Sequence, residues 1–253
     1  MTNKKNSSAI QRRLIPTYIF LIIVSFISVF PLYWMIAAAT NRSVDVARGK
    51  ITFGSYALEN FQNLTSQTDL WGALGNSFLY AIVQTVVALF ICSLAGFGFE
   101  LYHDKGKDKV FSILLLAMMI PQVATMIPLF KMISSAGLLN TVWAFILPSI
   151  SRLDGLSEFQ IYFRMYMPVM KSTYAAAAVI TFMNAWNAYL WPKVVMADTR
   201  AQTMPMLIAN LASGYTVDYG MLMMGVLFCS IPTMIIFFVL QKQFAEGITG
   251  SVK

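Results

Sequence analysis

Eleven acidic residues, one histidine and two cysteines are the side chains of this 253-residue chain best suited to proton, metal or nucleophilic chemistry. Their positions decide which of those chemistries is open to it. The carboxylates (Asp45, Glu59, Asp69, Glu100, Asp104, Asp108, Asp154, Glu158, Asp198, Asp218, Glu246) all lie outside the cores of the long uncharged runs. Ion-coupled transporters and pumps place an ionisable group inside a span to carry the ion, and no carboxylate stands in such a place here. His103 belongs to the loop His103-Asp104-Lys105-Gly106-Lys107-Asp108-Lys109, with no second histidine and no cysteine pair beside it. It reads as a solvated loop residue rather than a metal ligand or the base of a Ser-His-Asp arrangement. Cys92 and Cys229 fall inside apolar runs and read as small buried hydrophobes, too few for a disulfide framework. No Gly-x-x-x-x-Gly-Lys-Ser/Thr loop is present to cradle a nucleotide phosphate. The expectation is a chain with no catalytic residue, no metal and no cofactor of its own, so that uphill work would need energy from a partner.

The elements around these residues follow from composition. The chain is 58% hydrophobic and only 11% charged. Uncharged runs of about 18 residues or more read as membrane helices, and five occur: 14–40, 70–99, 110–130, 172–192 and 219–240. A further run, 132–151, leaves only Lys131 to turn the chain after the third span. Opening the turn at Gly137 shortens the span to 138–151, and 140–151 would make about 18 Å of helix against about 30 Å of hydrocarbon. The run 14–40 follows Lys4, Lys5, Arg12 and Arg13 but exceeds a signal-peptide core of about 7–15 residues, so it reads as an uncleaved first span. Pro121 and Pro128 are expected to kink the third span.

Six spans with both ends in the cytoplasm put 12 Lys and Arg in the inside segments 1–13, 100–109, 152–171 and 241–253, against 6 outside. If the fourth run fails to cross, the two sides balance, so the positive-inside bias favours six. The net charge of +7 is therefore a matter of topology. The basic residues are dispersed rather than gathered on one face, which argues against nucleic acid as a partner. The expected fold is all-α and polytopic, one transmembrane domain over residues 1–253 with a shortened fourth span.

Residues 152–168 form a charged, amphipathic island between apolar runs. Ser157 and Gln160 have the spacing of a capping box, and aromatic and Met residues follow up to Pro168. On composition alone this is a short helix at the membrane surface, either an anchor or a docking element. In its pattern the island resembles the cytoplasmic signature of permeases from bacterial binding-protein-dependent ABC importers: Glu-Ala-Ala, three residues, Gly, nine residues, Ile-x-Leu-Pro. Here Asp154 and Gly155 are followed after nine residues by Met165-Tyr166-Met167-Pro168. The stretch 184–192 (Asn-Ala-Trp-Asn-Ala-Tyr-Leu-Trp-Pro) is similar to the Trp-Asn-acidic-aromatic-Leu-Trp-Pro of carbohydrate permeases, with Ala188 at the acidic position. Thr203-Met204-Pro205 resembles their Thr-Leu-Pro, and the tail from Gly247 to Lys253 their Gly-Leu-Thr-x-Gly-x-Val-Lys. The chain is identified on these motifs as maltose-permease-like, the second permease subunit of a sugar importer. One departure stands out. Ser149-Ile150-Ser151 occupies the place of Glu-Ala-Ala, and with the short fourth run this reads as an internal deletion.

The resemblance implies a multi-pass subunit of the bacterial inner membrane that is not itself an enzyme. Its implied partners are a homologous permease, two ATPase subunits and an extracytoplasmic sugar-binding protein, all around a lipid bilayer. It assigns coupling to the ATPase to Asp154, Gly155 and Pro168, which shape the segment, and to Phe159 and Phe163, which dock. A sugar path would need amides for hydroxyls and aromatic faces for C–H faces. Gln84, Asn184, Trp186, Asn187 and Tyr189 have that chemistry, the alternatives being interhelical hydrogen bonds for the amides and an interfacial aromatic belt for the rings. Two other readings stay open: an impaired truncated permease, and a secondary transporter or channel.

Overall fold

The computed structural model describes residues 3–101, 109, 112–113, 116, 119–150 and 171–249. Among them the secondary structure is helical, without a strand. The helices are α1 (Asn3–Ala39), α2 (Ser43–Ala47), α3 (Ala57–Gln67), α4 (Leu70–Leu101), α5 (Gln122–Ser135), α6 (Val142–Ile150), α7 (Lys171–Trp186), α8 (Leu190–Val195), α9 (Met204–Ala212) and α10 (Tyr219–Thr249), with a 3-10 turn at Thr199–Ala201. Two compact units are formed, one of Met1–Gln67 and Tyr215–Leu227, the other of Thr68–Gly214 and Phe228–Lys253. The protein is thus an all-α polytopic membrane protein.

Among the described residues three helices are long and apolar enough to cross a bilayer, through Pro16–Ala39, Leu70–Phe97 and Tyr219–Val239. These are the runs whose lack of charge is most extended. The run 172–192, read as one span, is two helices. Pro192 has no N–H for the Ala188 carbonyl and its ring crowds it, which disfavours an unbroken helix across residue 188. α7 ends at Trp186 and α8 starts at Leu190, with Pro192 accommodated in its first turn. The run 132–151 is turned twice before α6. Gly137, at φ +68°, turns the chain after α5, and Asn140, at φ 60°, turns it again before α6. α6 is described over Val142–Ile150, up to the last described residue before 171. Pro121 stands at the start of α5 rather than kinking it, and Pro128 lies inside.

Three carboxylates that the sequence places outside the spans start helices. Asp69 Oδ1 accepts the Gly72 N–H at 3.0 Å, and Asp218 Oδ1 accepts those of Gly220 and Met221 at 3.0 and 3.1 Å. Asp198 Oδ1 accepts the Arg200 N–H at 2.9 Å at the 3-10 turn. Each satisfies a backbone donor that has no intrahelical acceptor and sets a negative charge at the positive helix end.

In the first unit, α1 ends in a buried knot of asparagines. Asn41 Nδ2 donates to the Ala37 and Thr52 carbonyls at 2.8 and 2.6 Å. Asn60 Nδ2, from α3, donates to Ala39 and Asn41 carbonyls at 2.8 and 2.9 Å. The Ala37 and Ala39 carbonyls at the end of α1 are thereby paired with side-chain amides. Gly220 closes against the knot; a Cβ there would come 2.7 Å from both Asn41 O and Asn60 Oδ1.

The core of the second unit lies where α4, α6, α7 and α8 meet. Small residues of α4, Ala73, Ala81, Ala88 and Ala95, are buried and let neighbouring backbones approach. Around them pack Tyr80 against Phe145 (ring centroids 5.2 Å), Phe78 against Trp186 (4.8 Å) and Phe182 stacked on Trp186 (5.8 Å). Cys92, expected inside, is exposed on α4, and Cys229 is half-buried. An apolar run fixes neither which face a residue takes nor what covers it.

Candidate functional site

The break between α7 and α8 gathers four of the five residues with sugar-recognising chemistry. α7 unwinds with its last bonds running from Asn187 N–H to the Met183 carbonyl (3.0 Å) and Ala188 N–H to the Ala185 carbonyl (3.2 Å). Asn184 and Asn187 are three residues apart, so both fall on one side of the helix end, and both are exposed. Asn187 Nδ2 donates to the Met183 carbonyl of its own helix at 2.9 Å. Neither asparagine sits in a helix–helix seam. Tyr189 is half-buried, and its hydroxyl accepts from Lys193 Nζ at 2.7 Å. Lys193 also lies 5.1 Å from the Tyr189 ring centre, within range of a cation–π attraction.

Trp186 stands apart from these three. It is 1% exposed, its ring held between Phe78 and Phe182. Its indole N–H donates to the Cys229 carbonyl of α10 at 3.0 Å. The side chain packs the wall behind the break rather than facing into it. Gln84 is half-buried on α4, the helix against which α7 packs most extensively. Asp154, Gly155, Phe159, Phe163 and Pro168 lie outside the described residues.

Several side chains that hold the break in place were not legible as functional. Asn76 Nδ2 donates to the Arg200 and Gln202 carbonyls at 2.7 and 3.0 Å, and Ser77 Oγ accepts the Met204 N–H at 2.8 Å. These bonds fasten the segment that resembles the carbohydrate-permease Thr-Leu-Pro to the first turns of α4. Asn140 donates its N–H to the Val195 carbonyl at 3.0 Å and accepts the Asp198 N–H on Oδ1 at 3.0 Å. Trp191 is buried, and its indole N–H donates to the Ala144 carbonyl of α6 at 2.9 Å, so it is a core residue of this unit. The available signal was polarity in an apolar setting: Asn76-Ser77 interrupts the start of the run 70–99. Such groups are retained where they pair with backbone.

Comparison with known proteins bears on what this arrangement serves. Residues 149–250 match the family described as binding-protein-dependent transport system inner membrane component. The chain is 40% identical to the lactose transport system permease protein LacG of Rhizobium radiobacter, over 97% of this chain and 99% of that one. It is 32% identical to the arabinooligosaccharides transport system permease protein AraQ of Halalkalibacterium halodurans, over 91% and 93%. A solved structure of similar fold (TM-score 0.77, 16% identity, 92% of this chain and 97% of that one) belongs to a bacterial ABC transporter involved in the import of the acidic polysaccharide alginate. The alignment with LacG runs over 271 positions, more than the 253 residues present here, so it passes through gaps on this chain's side.

Proposed function

The chain belongs to the family of inner-membrane components of binding-protein-dependent transport systems, and on that premise we propose that it forms half of the translocation pathway of an ATP-driven sugar importer. It is a sugar-transport permease subunit and not an enzyme; ATP is hydrolysed on a separate subunit. The observation that carries the sugar reading is the 40% identity to a lactose permease across nearly the full length of both chains. In this reading the subunit sits in the bacterial inner membrane with both termini in the cytoplasm. It pairs with a homologous permease and two ATPase subunits and receives sugar from an extracytoplasmic binding protein.

The exposed amides of Asn184 and Asn187 supply donors and acceptors for sugar hydroxyls at the break between α7 and α8. Tyr189 supplies a ring face, oriented by Lys193, and Gln84 adds an amide from α4. Trp186 serves the same site from behind by fixing the end of α7. A helix broken inside the membrane is tolerated where its backbone lines a cavity or is buried in protein, which suits a path. Residues 152–168 dock on the ATPase, with Phe159 and Phe163 as side chains in its groove and Asp154, Gly155 and Pro168 shaping the segment. Closure of the ATPase dimer on ATP then drives the switch between inward- and outward-facing states.

The test is co-expression of tagged chain with its neighbouring permease and ATPase genes, followed by purification in detergent and uptake of radiolabelled lactose by proteoliposomes. Co-purification of the ATPase, its loss with Phe163→Glu, and uptake that needs ATP and binding protein are expected. Uptake that persists without ATP would replace this reading with a secondary transporter. A second reading, an impaired permease, draws on the gapped alignment with LacG. Its mark is an ATPase that binds only after the missing stretch is grafted in before Arg152.

A further inference from the structure

α4 carries four hydroxyl groups, on Ser77, Tyr80, Thr85 and Ser93. Three of them are bonded. Thr85 and Ser93 turn back on their own helix, donating to the Ala81 carbonyl at 2.6 Å and the Phe90 carbonyl at 3.0 Å, as short hydroxyl side chains do. Ser77 Oγ accepts the Met204 N–H at 2.8 Å. The fourth hydroxyl, on Tyr80, is carried by its ring too far from its own backbone to turn back. Among the described residues it has no hydrogen-bond partner.

The setting gives that orphan a meaning. Tyr80 is 5% exposed, with its ring packed on Phe145 in the core of the second unit. The fully buried side-chain polar atoms without a partner, among the described residues, are Asn41 Oδ1 and Thr203 Oγ1. Tyr80 Oη is not one of them, so the oxygen stands at the open edge of an otherwise enclosed side chain. The residue also lies within about one helical turn of the middle of the span Leu70–Phe97. Lipid at that depth offers no hydrogen bond, and an unpaired polar group facing it is costly. Tyrosines that meet lipid favour the two membrane surfaces, where water reaches the hydroxyl. At the middle of a span, water or a polar ligand inside a path can fill the same need. A phenol hydroxyl both donates and accepts, which matches the hydroxyls of a neutral sugar. Gln84, four residues on, shares this side of α4.

We propose that the Tyr80 hydroxyl is a substrate-binding group, exchanging a hydrogen bond with a hydroxyl of the sugar as it passes the middle of the membrane. This rests on the reading of the chain as half of a sugar path. The core fixes the ring, and the oxygen at its edge is left to the ligand.

The experiment uses the assembled permease–ATPase complex in proteoliposomes, with ATP and the binding protein, and radiolabelled lactose as the probe. Tyr80→Phe removes the oxygen and keeps the ring against Phe145. Uptake by variant and parent is compared for lactose and for a set of lactose analogues that each lack one hydroxyl. The binding protein is the same in both, so its own preferences cancel in each variant-to-parent ratio. Tyr80→Phe is expected to slow lactose uptake roughly tenfold, the worth of one hydrogen bond, with the unfolding midpoint and the composition of the complex unchanged. For one analogue the ratio is expected to return to about one, because the sugar hydroxyl that Tyr80 meets is already gone. Lactose uptake at the parent rate in Tyr80→Phe overturns the proposal. The same slowing across every analogue overturns it too, since no sugar hydroxyl is then the partner. So does a lowered unfolding midpoint, which would put the partner within this chain, or loss of the homologous permease on purification, which would put it between subunits. A parent that takes up no lactose under these conditions removes the sugar reading, and the proposal with it.

Discussion

Asparagines meet helix ends in both units of this protein, buried in one and exposed in the other. At the end of α1, Asn41 and Asn60 are buried and their amide N–H groups pair with backbone carbonyls. At the end of α7, Asn184 and Asn187 are exposed, and Asn187 bonds only within its own helix turn among the bonds described. Both pairs stand at or beside a helix end whose last carbonyls need partners. In the first unit the side chains close the helix end permanently. In the second, Asn187 Nδ2 makes the same bond, to the Met183 carbonyl four residues back, but the side chain stays exposed. Polar residues at a helix end are therefore not of one kind: some are buried and pair with distant backbone, others stay exposed.

The comparison is broken most directly at Asn60. Asn60→Leu keeps the volume and leaves the buried Ala39 and Asn41 carbonyls without that donor, and is expected to cost about 2–4 kcal/mol. A detergent unfolding curve unchanged from the parent would show that the knot is not a structural element. Gly220→Ala tests the same knot from its other side. Its Cβ would meet Asn41 O and Asn60 Oδ1 at 2.7 Å, and the backbone shift that follows is expected to cost about 1–3 kcal/mol. The contrast is sharpened at Asn187. Asn187→Ala is expected to leave unfolding within about 0.5 kcal/mol of the parent while raising KM for sugar uptake roughly tenfold, the worth of one hydrogen bond. Lowered stability with uptake intact would place Asn187 with Asn41 and Asn60 instead.

The sequence made α1, α4 and α10 legible because a long stretch without charge has few alternatives to a membrane helix. It was silent on helix continuity. Residues 172–192 are uncharged throughout, yet they form two helices, and the instruction lay in Pro192 and its crowding of residue 188 rather than in polarity. The family was legible from motifs spread along the chain, and the comparisons bear it out. Aromatic roles were not legible. Trp186 and Trp191 have rings suited to sugar or to an interface, and the structure buries both and directs their N–H groups to backbone carbonyls. Residue type says what a side chain can do, whereas the face it takes depends on partners distant in sequence. For Trp191 the partner could have been sought, because Pro148 announces an unfilled acceptor at Ala144. Asp69 and Asp218 were read correctly as lying outside the spans, but their work as helix starters depends on backbone that composition does not describe.

The differing burial of α1 and α6 has a consequence for how the chain enters the membrane during synthesis. The most apolar stretch of α1 is only 6% buried, so it can pass from the insertion machinery into lipid with no other part of the protein present. α6 contains a proline and has Ala144, Phe145 and Ile146 enclosed by neighbouring helices. Its carbonyl at Ala144 is completed by a residue that leaves the ribosome 47 positions later. α6 therefore reaches its final state only after translation has gone on to α8, and a ribosome stalled between them would hold an unfinished segment for quality control to find.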